Sequence, residues 1–510
     1  MMKSATRQQP VRQLVIAGGG TAGWMAAASL ARHFQHTPLT ITLVESPEIG
    51  TIGVGEATIP TIRRFYRNLG LSDGQVMMAT QATAKLGIAF DGWRAPGEQF
   101  IHPFGRFGQD LNGIGFHHYW QRLASMGDTR PLSDYCLPIQ LAEANKFTTP
   151  APNPSNSLGV FDWALHLNAT AFAKLLKETA LQMGVQHVEG NITQVQLESD
   201  NGFISALQLA DGRQLPGQLF IDCTGFRARL LGEALAVPFE SWQDQLLCDR
   251  AVVVQSELAS PTNPPSFTRA RAMRAGWQWR IPLQSRQGNG LVYSSHFLSE
   301  DEATAHMLDD CGASPLQEPR HLRFTPGMRK VSWEKNCIAL GLAAGFLEPL
   351  ESTSIALIET AIEKIKLLFP NADCDRAIID EFNNMTRLEY ERVKDFILLH
   401  YVLNGRQGEA FWQACREVHQ PDTLKNKLSL FKARGHLVKY RWEMFQPASW
   451  LALFSGFGFQ SDMYDPAADA IPEQQLKSIM DSMAKGIQTA VADSPSHQAF
   501  LQHLKQAAGA

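Results

Sequence analysis

Gly18, Gly20 and Gly23 stand in the spacing GxGxxG, with Thr21 and Ala22 filling the gap before the third glycine. In that spacing the first glycine permits a tight turn, the second lets backbone approach a pyrophosphate, and the third admits close packing of helix on strand. The N–H groups that open the following helix then offer partial positive charge to phosphate. Alone the pattern is weak, but the flanking residues strengthen it. Leu14-Val15-Ile16-Ala17 reads as a short buried strand before the glycines, and Trp24 to Ala31 reads as a helix after them. A second apolar run, Leu39 to Val44, ends on Glu45, where a carboxylate can hold a ribose hydroxyl. The chemistry predicted here is the binding of an adenine dinucleotide.

Two downstream segments favour FAD over NAD. Leu219 to Gly225 is a buried strand ending in the turn Asp222-Cys223-Thr224-Gly225, and Ile338 to Gly345 is a late glycine-rich strand containing Gly341. In these elements the chain resembles the flavin-dependent monooxygenase superfamily, with one departure: Leu342 stands where hydroxylases usually show Asp. Ser352 and Thr353 immediately precede a helical pattern that carries Ile355, Ile358, Ile362 and Ile365 on one face and stops at Pro370. Their ordinary reading is helix capping. Beside a flavin, a helix N-terminus with hydroxyls is also a ready halide site.

Trp277 and Trp279 lie on one face of a strand in the segment Gly276 to Pro282, and such pairs are more often core than machinery. Here, however, the spelling WxWxIP matches the signature of the flavin-dependent tryptophan halogenases. GVGEATIP at Gly53 to Pro60 and GFLEPLEST at Gly345 to Thr353 extend the resemblance over nearly the whole chain. The resemblance implies a catalytic lysine at Lys85 and a catalytic glutamate at Glu351. It implies halide contacts at Thr353 and Ser354, a partition between flavin and arene at Trp277 and Trp279, and an aromatic substrate site at His102, Phe104 and Trp450. FAD contacts fall at Gly18, Gly20, Thr21, Ala22, Gly23, Glu45, Asp222 and Gly341. An inward-facing amine at Lys85 is consistent with its setting, since Gln75 to Phe90 carries no other charge. His117 and His118 have no carboxylate or histidine at metal spacing and read as structural. Around Tyr440, Arg441, Trp442, Glu443 and Phe445 there are charges and aromatics, but not the family's clamp for an amino acid's ammonium and carboxylate.

These residues need a large scaffold to position them. The chain has 510 residues, 44% apolar and 19% charged, enough for a sizeable core and incompatible with disorder. Its net charge of −4 comes without a basic block, which argues against nucleic-acid binding. Seven cysteines without a CxxC pair suit reduced thiols and a cytoplasmic location. Leu14 to Ala31 superficially imitates a signal peptide, but its glycines suit strand-turn-helix chemistry, and no membrane segment is predicted. Phe172 to Met183 reads as a helix, Gln194 to Gln214 as strands with an Asp211-Gly212 turn, and Thr148 to Ser157 and Ser260 to Pro265 as loops. Gly276 to Pro282 is expected to pair with Leu291 to Ser295 across a tight turn at Asn289-Gly290. From about Asp375 the pattern is helical, with a last helix near Gln474 to Ala490.

The expected fold class is α/β: a Rossmann-like FAD-binding core over 11–376, with an added antiparallel sheet and inserted substrate-site segments at about 75–215 and 240–335. A mainly helical region, 377–510, would close the substrate site. The function implied is that of a two-component halogenase. It would use reduced FAD (FADH2), O2 and chloride or bromide to make hypohalous acid and halogenate an indole or another electron-rich aromatic. Tryptophan is one candidate, and free indole is favoured. The partners are a small aromatic substrate and a separate NAD(P)H-dependent flavin reductase, with a homodimer left open. The alternatives are an FAD-dependent aromatic monooxygenase on the same fold, which the WxWxIP and Lys85 pair disfavours, and a flavin-binding protein without activity, which the intact Glu351-Ser352-Thr353 disfavours.

Overall fold

The computed structural model describes residues 9–47, 56–154 and 156–509. The Gly53 to Gly55 part of the GVGEATIP match lies outside the described residues. Leu14 to Ala17 are fully or almost fully buried, so this segment forms a central strand, Gln13–Ala17, with sheet neighbours on both sides. It pairs in parallel with Thr40–Glu45 and with Leu219–Asp222, and these extend to Gln186–Glu189 and Cys337–Ala339. Trp333–Glu334 closes the six-stranded sheet as an antiparallel edge. Because the central strands run parallel, Gly18, Cys223 and Leu340 all leave the sheet at the same carboxyl edge. That edge is where a Rossmann-like sheet binds its ligand.

The helix Thr21–His33 packs over this sheet against the helices Ala169–Gln182 and Ser354–Leu367. A Cβ on Gly23 would lie 1.9 Å from the Gly18 carbonyl oxygen, and Gly18 itself takes φ +109°. Two of the three motif glycines are thus demanded by backbone geometry before any ligand is considered.

A seven-stranded sheet, mostly antiparallel, joins Gly87–Asp91 and Gln99–Pro103 to five strands between Arg250 and Arg323. The two expected insertions therefore build one sheet. A smaller sheet, Glu56–Ala57 with Ala164–Leu167 and Thr83–Lys85, places Lys85 at a strand end.

The hairpin containing Gly276–Pro282 forms, but its turn is not at Asn289-Gly290. The chain reverses at Leu283 to Arg286, where the Leu283 N–H donates to the Arg286 carbonyl over 2.8 Å, and Asn289 and Gly290 lie inside the strand Gln287–Tyr293. The reason is packing. A Cβ on Gly290 would sit 2.1 Å from the Trp279 ring, so this glycine makes room for an indole rather than a turn. Asn289 is held inside the sheet by bonds to Gln287 and Ser256. Gly290→Ala is expected to lower stability by about 1–3 kcal/mol through overpacking against Trp279. An unchanged thermal midpoint would refute this reading of the glycine.

The helix Arg376–Val402, capped by the Asp375 side chain, begins the helical region. Its last turn re-enters the core, and one buried cluster runs from Val11 to Leu501 across the expected domain boundary. The last helix is not the one near Gln474. Glu473–Asp493 is followed by His497–Gly509, which docks because His497 accepts a bond from the Ala84 N–H and lies 2.7 Å from the Pro264 carbonyl oxygen. All seven cysteines are free, six of them buried and Cys223 half-buried. Among the described residues no helix is long and apolar enough to cross a membrane.

Candidate active site

A cavity of about 670 Å³ opens at the carboxyl edge of the parallel sheet, with Gly18 to Ala22, Glu45, Thr224, Trp279 and Gly341 in its wall. The helix Thr21–His33 starts at this cavity with no side-chain cap and no acidic residue in its first turn, so its N–H groups have no built-in anion. Nothing lies within 4 Å of where a Cβ on Gly20 would be. An open cradle at an uncapped helix N-terminus fits the pyrophosphate of FAD.

Glu45 reaches the cavity wall from the end of its strand. Its Oε1 accepts from Lys177 Nζ at 2.7 Å and lies 2.8 Å from His187 Nε2, while Oε2 accepts from Trp24 Nε1 at 3.4 Å. Asp222 differs from expectation, because it is fully buried and both of its oxygens are committed to protein. Oδ1 accepts from the Thr224 N–H and hydroxyl, and Oδ2 from the N–H groups of Leu230 and Leu231. It shapes the turn that lines the cavity instead of lining the cavity itself.

The segment Pro349 to Ser354 forms one wall of this cavity and carries a second group of side chains on its far side. Ser352 takes φ +60°, a conformation that costs a non-glycine residue energy and turns the chain sharply. Thr353 is the N-cap of Ser354–Leu367 by position, but its side chain makes no capping bond, and its buried Oγ1 has no partner. The Ser352 hydroxyl does not cap either: it accepts from Lys85 Nζ at 2.8 Å. Ser354, half-buried, faces the cavity. The capping reading of these hydroxyls therefore fails, and one orphan hydroxyl remains at a helix N-terminus.

Lys85 is completely buried. Its Nζ also donates to the Thr58 carbonyl at 3.0 Å and stands 5.2 Å from the centre of the Phe104 ring. Burial pushes its pKa down to about 7, against the opposing pull of the Glu351 charge. Glu351 is buried too, yet it is held as a carboxylate. Burial alone would raise its pKa, but His102 and His400 outweigh burial and bring it to about 2. Oε2 lies 2.9 Å from His102 Nδ1, and Oε1 lies 2.8 Å from His400 Nε2.

Trp277 and Trp279 project from the strand Gly276–Pro282 with ring centres 5.8 Å apart. Trp279 faces the cavity, while Trp277 Nε1 donates to Glu348 Oε1 at 3.1 Å. Glu348, which also accepts from the Tyr401 hydroxyl, is pushed up to about 7 by burial. The tryptophans thus tie the cavity wall to the segment that bears Glu351.

His102 and Phe104 meet edge to face, with centres 6.4 Å apart and planes 67° apart, so they do not stand as parallel plates. His102 also packs near Phe396 and Phe445, which stack on each other with ring centres 3.8 Å apart, and Trp450 meets Phe396 edge-on at 5.0 Å. The sequence therefore placed Lys85, Glu351, His102 and Phe104 in one cluster, with Trp450 joined to it through Phe396. It missed His400, Ser352 as a lysine partner, and the Thr58 carbonyl. A lone histidine directly after the apolar run Phe396 to Leu399 was the available signal for His400. His117 and His118 bond to the Gly435 carbonyl and the Asp465 N–H, as structural residues do. Among the described residues no cluster is placed to hold a metal ion.

The chain is 53% identical to a flavin-dependent halogenase from Brevundimonas sp. BAL3, covering 97% of this chain and 99% of that one with a TM-score of 0.94. It is 43% identical to a flavin-dependent halogenase from Xanthomonas campestris, again covering 97% and 99%, with a TM-score of 0.93. It is 36% identical over 443 residues to the tryptophan 6-halogenase of Streptomyces albogriseolus, or 83% of this chain and 82% of that protein. The sequence profile of tryptophan halogenases matches residues 13–473, and with these relatives it shows that the chain belongs to the tryptophan halogenase family of FADH2-dependent enzymes.

Proposed function

We propose that the protein halogenates free indole, or an electron-rich arene equally free of charged substituents, with chloride or bromide, O2 and reduced FAD supplied by a separate flavin reductase. The observation that carries this reading is the setting of Lys85, completely buried with its Nζ on the Thr58 carbonyl and the Ser352 hydroxyl. A neutral amine has two N–H groups, both are used on Thr58 and Ser352, and the lone pair is left for an electrophile. When bound, reduced FAD supplies with O2 the oxidising power that converts halide to hypohalous acid. Gly18, Gly20, Thr21, Ala22 and Gly341 would hold it, with Glu45 toward a ribose hydroxyl; Gly23, outside the cavity lining and packed on the Gly18 carbonyl, would set the turn, and Asp222 would brace the wall. The unpartnered Thr353 hydroxyl and Ser354 would hold the halide. Trp277 and Trp279 would keep arene from flavin. The Lys85 amine then attacks the halogen of hypohalous acid, and water leaves as a haloamine forms. His102, Phe104 and Trp450, with Phe396 and Phe445, supply the aromatic surface that orients the substrate.

Free indole is favoured because the charges beside Trp450 are already paired. Lys427 lies 2.8 Å from Glu443, with its ammonium over the Trp450 ring, and Arg392 faces Asp395 at 3.7 Å. An amino-acid substrate would have to break such pairs to gain its own. Supplying a flavin reductase, NADH, FAD, bromide and air with a panel of indoles, and reading product masses for the bromine doublet, tests the activity. For indole, kcat/KM should equal or exceed that for tryptophan. A preference for tryptophan of about 100-fold, about 2.7 kcal/mol, would reveal a clamp and overturn the substrate assignment.

A further inference from the structure

The hydrogen bonds around Glu351 can be read for protons. His400 Nδ1 lies 2.9 Å from the Phe396 carbonyl oxygen, which can only accept, so that nitrogen carries a hydrogen. His400 Nε2 lies 2.8 Å from Glu351 Oε1, and with the carboxylate ionised this bond needs a hydrogen as well. One proton therefore lies between His400 Nε2 and Glu351 Oε1, and the Glu351–His400 pair is neutral as a unit. On the other side His102 Nδ1 must donate to Oε2. Its other nitrogen, Nε2, is buried and has no partner. Whenever the ring is neutral, Nε2 is therefore a lone pair with no protein donor on it, open to a proton from a bound substrate.

That lone pair belongs to a ring walled by Phe104, Phe396 and Phe445. The Phe104 ring also stands 5.2 Å from the Lys85 amine. The source of electrophilic halogen and an idle base therefore border the same aromatic surface. Glu351 is less suited to the task, since each of its oxygens is already engaged by an imidazole whereas His102 Nε2 has no partner.

We infer that His102, through Nε2, is the base that removes the ring proton from the halogenated arene, with Glu351 and His400 as positioning residues behind it. The assignment rests on the halogenase reading above. In the step the ring's π pair forms the carbon–halogen bond while the nitrogen–halogen bond of the Lys85 haloamine breaks, and the lysine nitrogen takes a proton from the water released when the haloamine formed, leaving the free amine and a hydroxide. The C–H pair then returns to the ring and the proton passes to Nε2. The imidazolium so formed is held by the Glu351 carboxylate through Nδ1–H. Its Nε2 proton then passes to the hydroxide, which restores His102, so that overall arene and hypohalous acid give haloarene and water.

The test compares indole with ring-deuterated indole in the parent and in His102→Gln. The variant is expected to lose about 100-fold or more in halogenation, the range of a missing general base. It should also show a primary isotope effect that the parent lacks, and added imidazole should restore part of the rate to His102→Ala. A variant within tenfold of the parent, or one that slows with no isotope effect and no rescue, would overturn the assignment. Should both variants fail to fold, ¹⁵N NMR of the histidine-labelled parent decides: a bare Nε2 at His102 supports the proposal and a protonated Nε2 ends it. A parent that halogenates no arene would overturn the functional reading and this assignment with it, whereas the other negative results overturn this assignment alone.

Discussion

Lys85→Ala is expected to abolish halogenation, by about 10³-fold or more, while reduced flavin is still oxidised by O2. The amine acts after the oxidant has formed, and it stands behind the Pro349 to Ser354 wall instead of in the flavin cavity, so flavin binding should persist. Lys85→Arg should be nearly as inactive, because a guanidinium keeps the charge but offers no nucleophilic nitrogen. Titration gives the sign of a further check. With its pKa held near 7, Lys85 is an ammonium without a lone pair below that pH and an amine above it. Single-turnover halogenation should therefore rise as pH climbs through about 7. A limb that falls there would mean that the ammonium is the working form, and a halogenating Lys85→Ala would remove the lysine from the mechanism altogether.

Glu351→Gln should damage both activity and stability. An amide can accept from one imidazole through its oxygen, but its NH2 group then faces the other imidazole's N–H, donor against donor. Removing one partner of a buried charge pair typically costs about 3–5 kcal/mol, and halogenation should fall by about 100-fold or more as the histidines lose their anchor. The pH dependence has a definite direction. Folding lowers this carboxyl from 4.5 to about 2, so its contribution is complete above about pH 4.5 and is lost as pH falls toward 2. Denaturant titrations between those values should show a loss in the parent that the variant lacks. Equal stabilities at neutral pH would show that the two imidazoles do not depend on this carboxylate.

The glycine motif was legible because its constraints are local: a turn, a close helix and an open cradle are all properties of six consecutive residues. The hairpin turn was not, since Asn-Gly favours a turn only when nothing larger needs the space, and Trp279 needs it from a neighbouring strand. Ser352 and Thr353 misled for a related reason. Their types suit caps, but Lys85, more than 260 residues earlier in the chain, claims one hydroxyl. His400 stood out only as a lone histidine after an apolar run, and nothing local named its partner Glu351, 49 positions away. What escaped the sequence was pairing between distant polar groups, which leaves no period to read.

The buried thiols bear on how long such a catalyst survives. Hypohalous acid destroys sulfur nucleophiles, and the thiolate is the form that reacts fastest. Burial raises the pKa of Cys136, Cys223, Cys248, Cys337, Cys374 and Cys415, so these side chains stay protonated at neutral pH. Cys223 is the exposed flank, half-buried in the cavity wall, yet the adjoining Asp222 charge adds to burial in disfavouring its thiolate. The carboxylate that braces the turn is thus also a guard against self-inactivation, and the number of turnovers before death should be set first at Cys223.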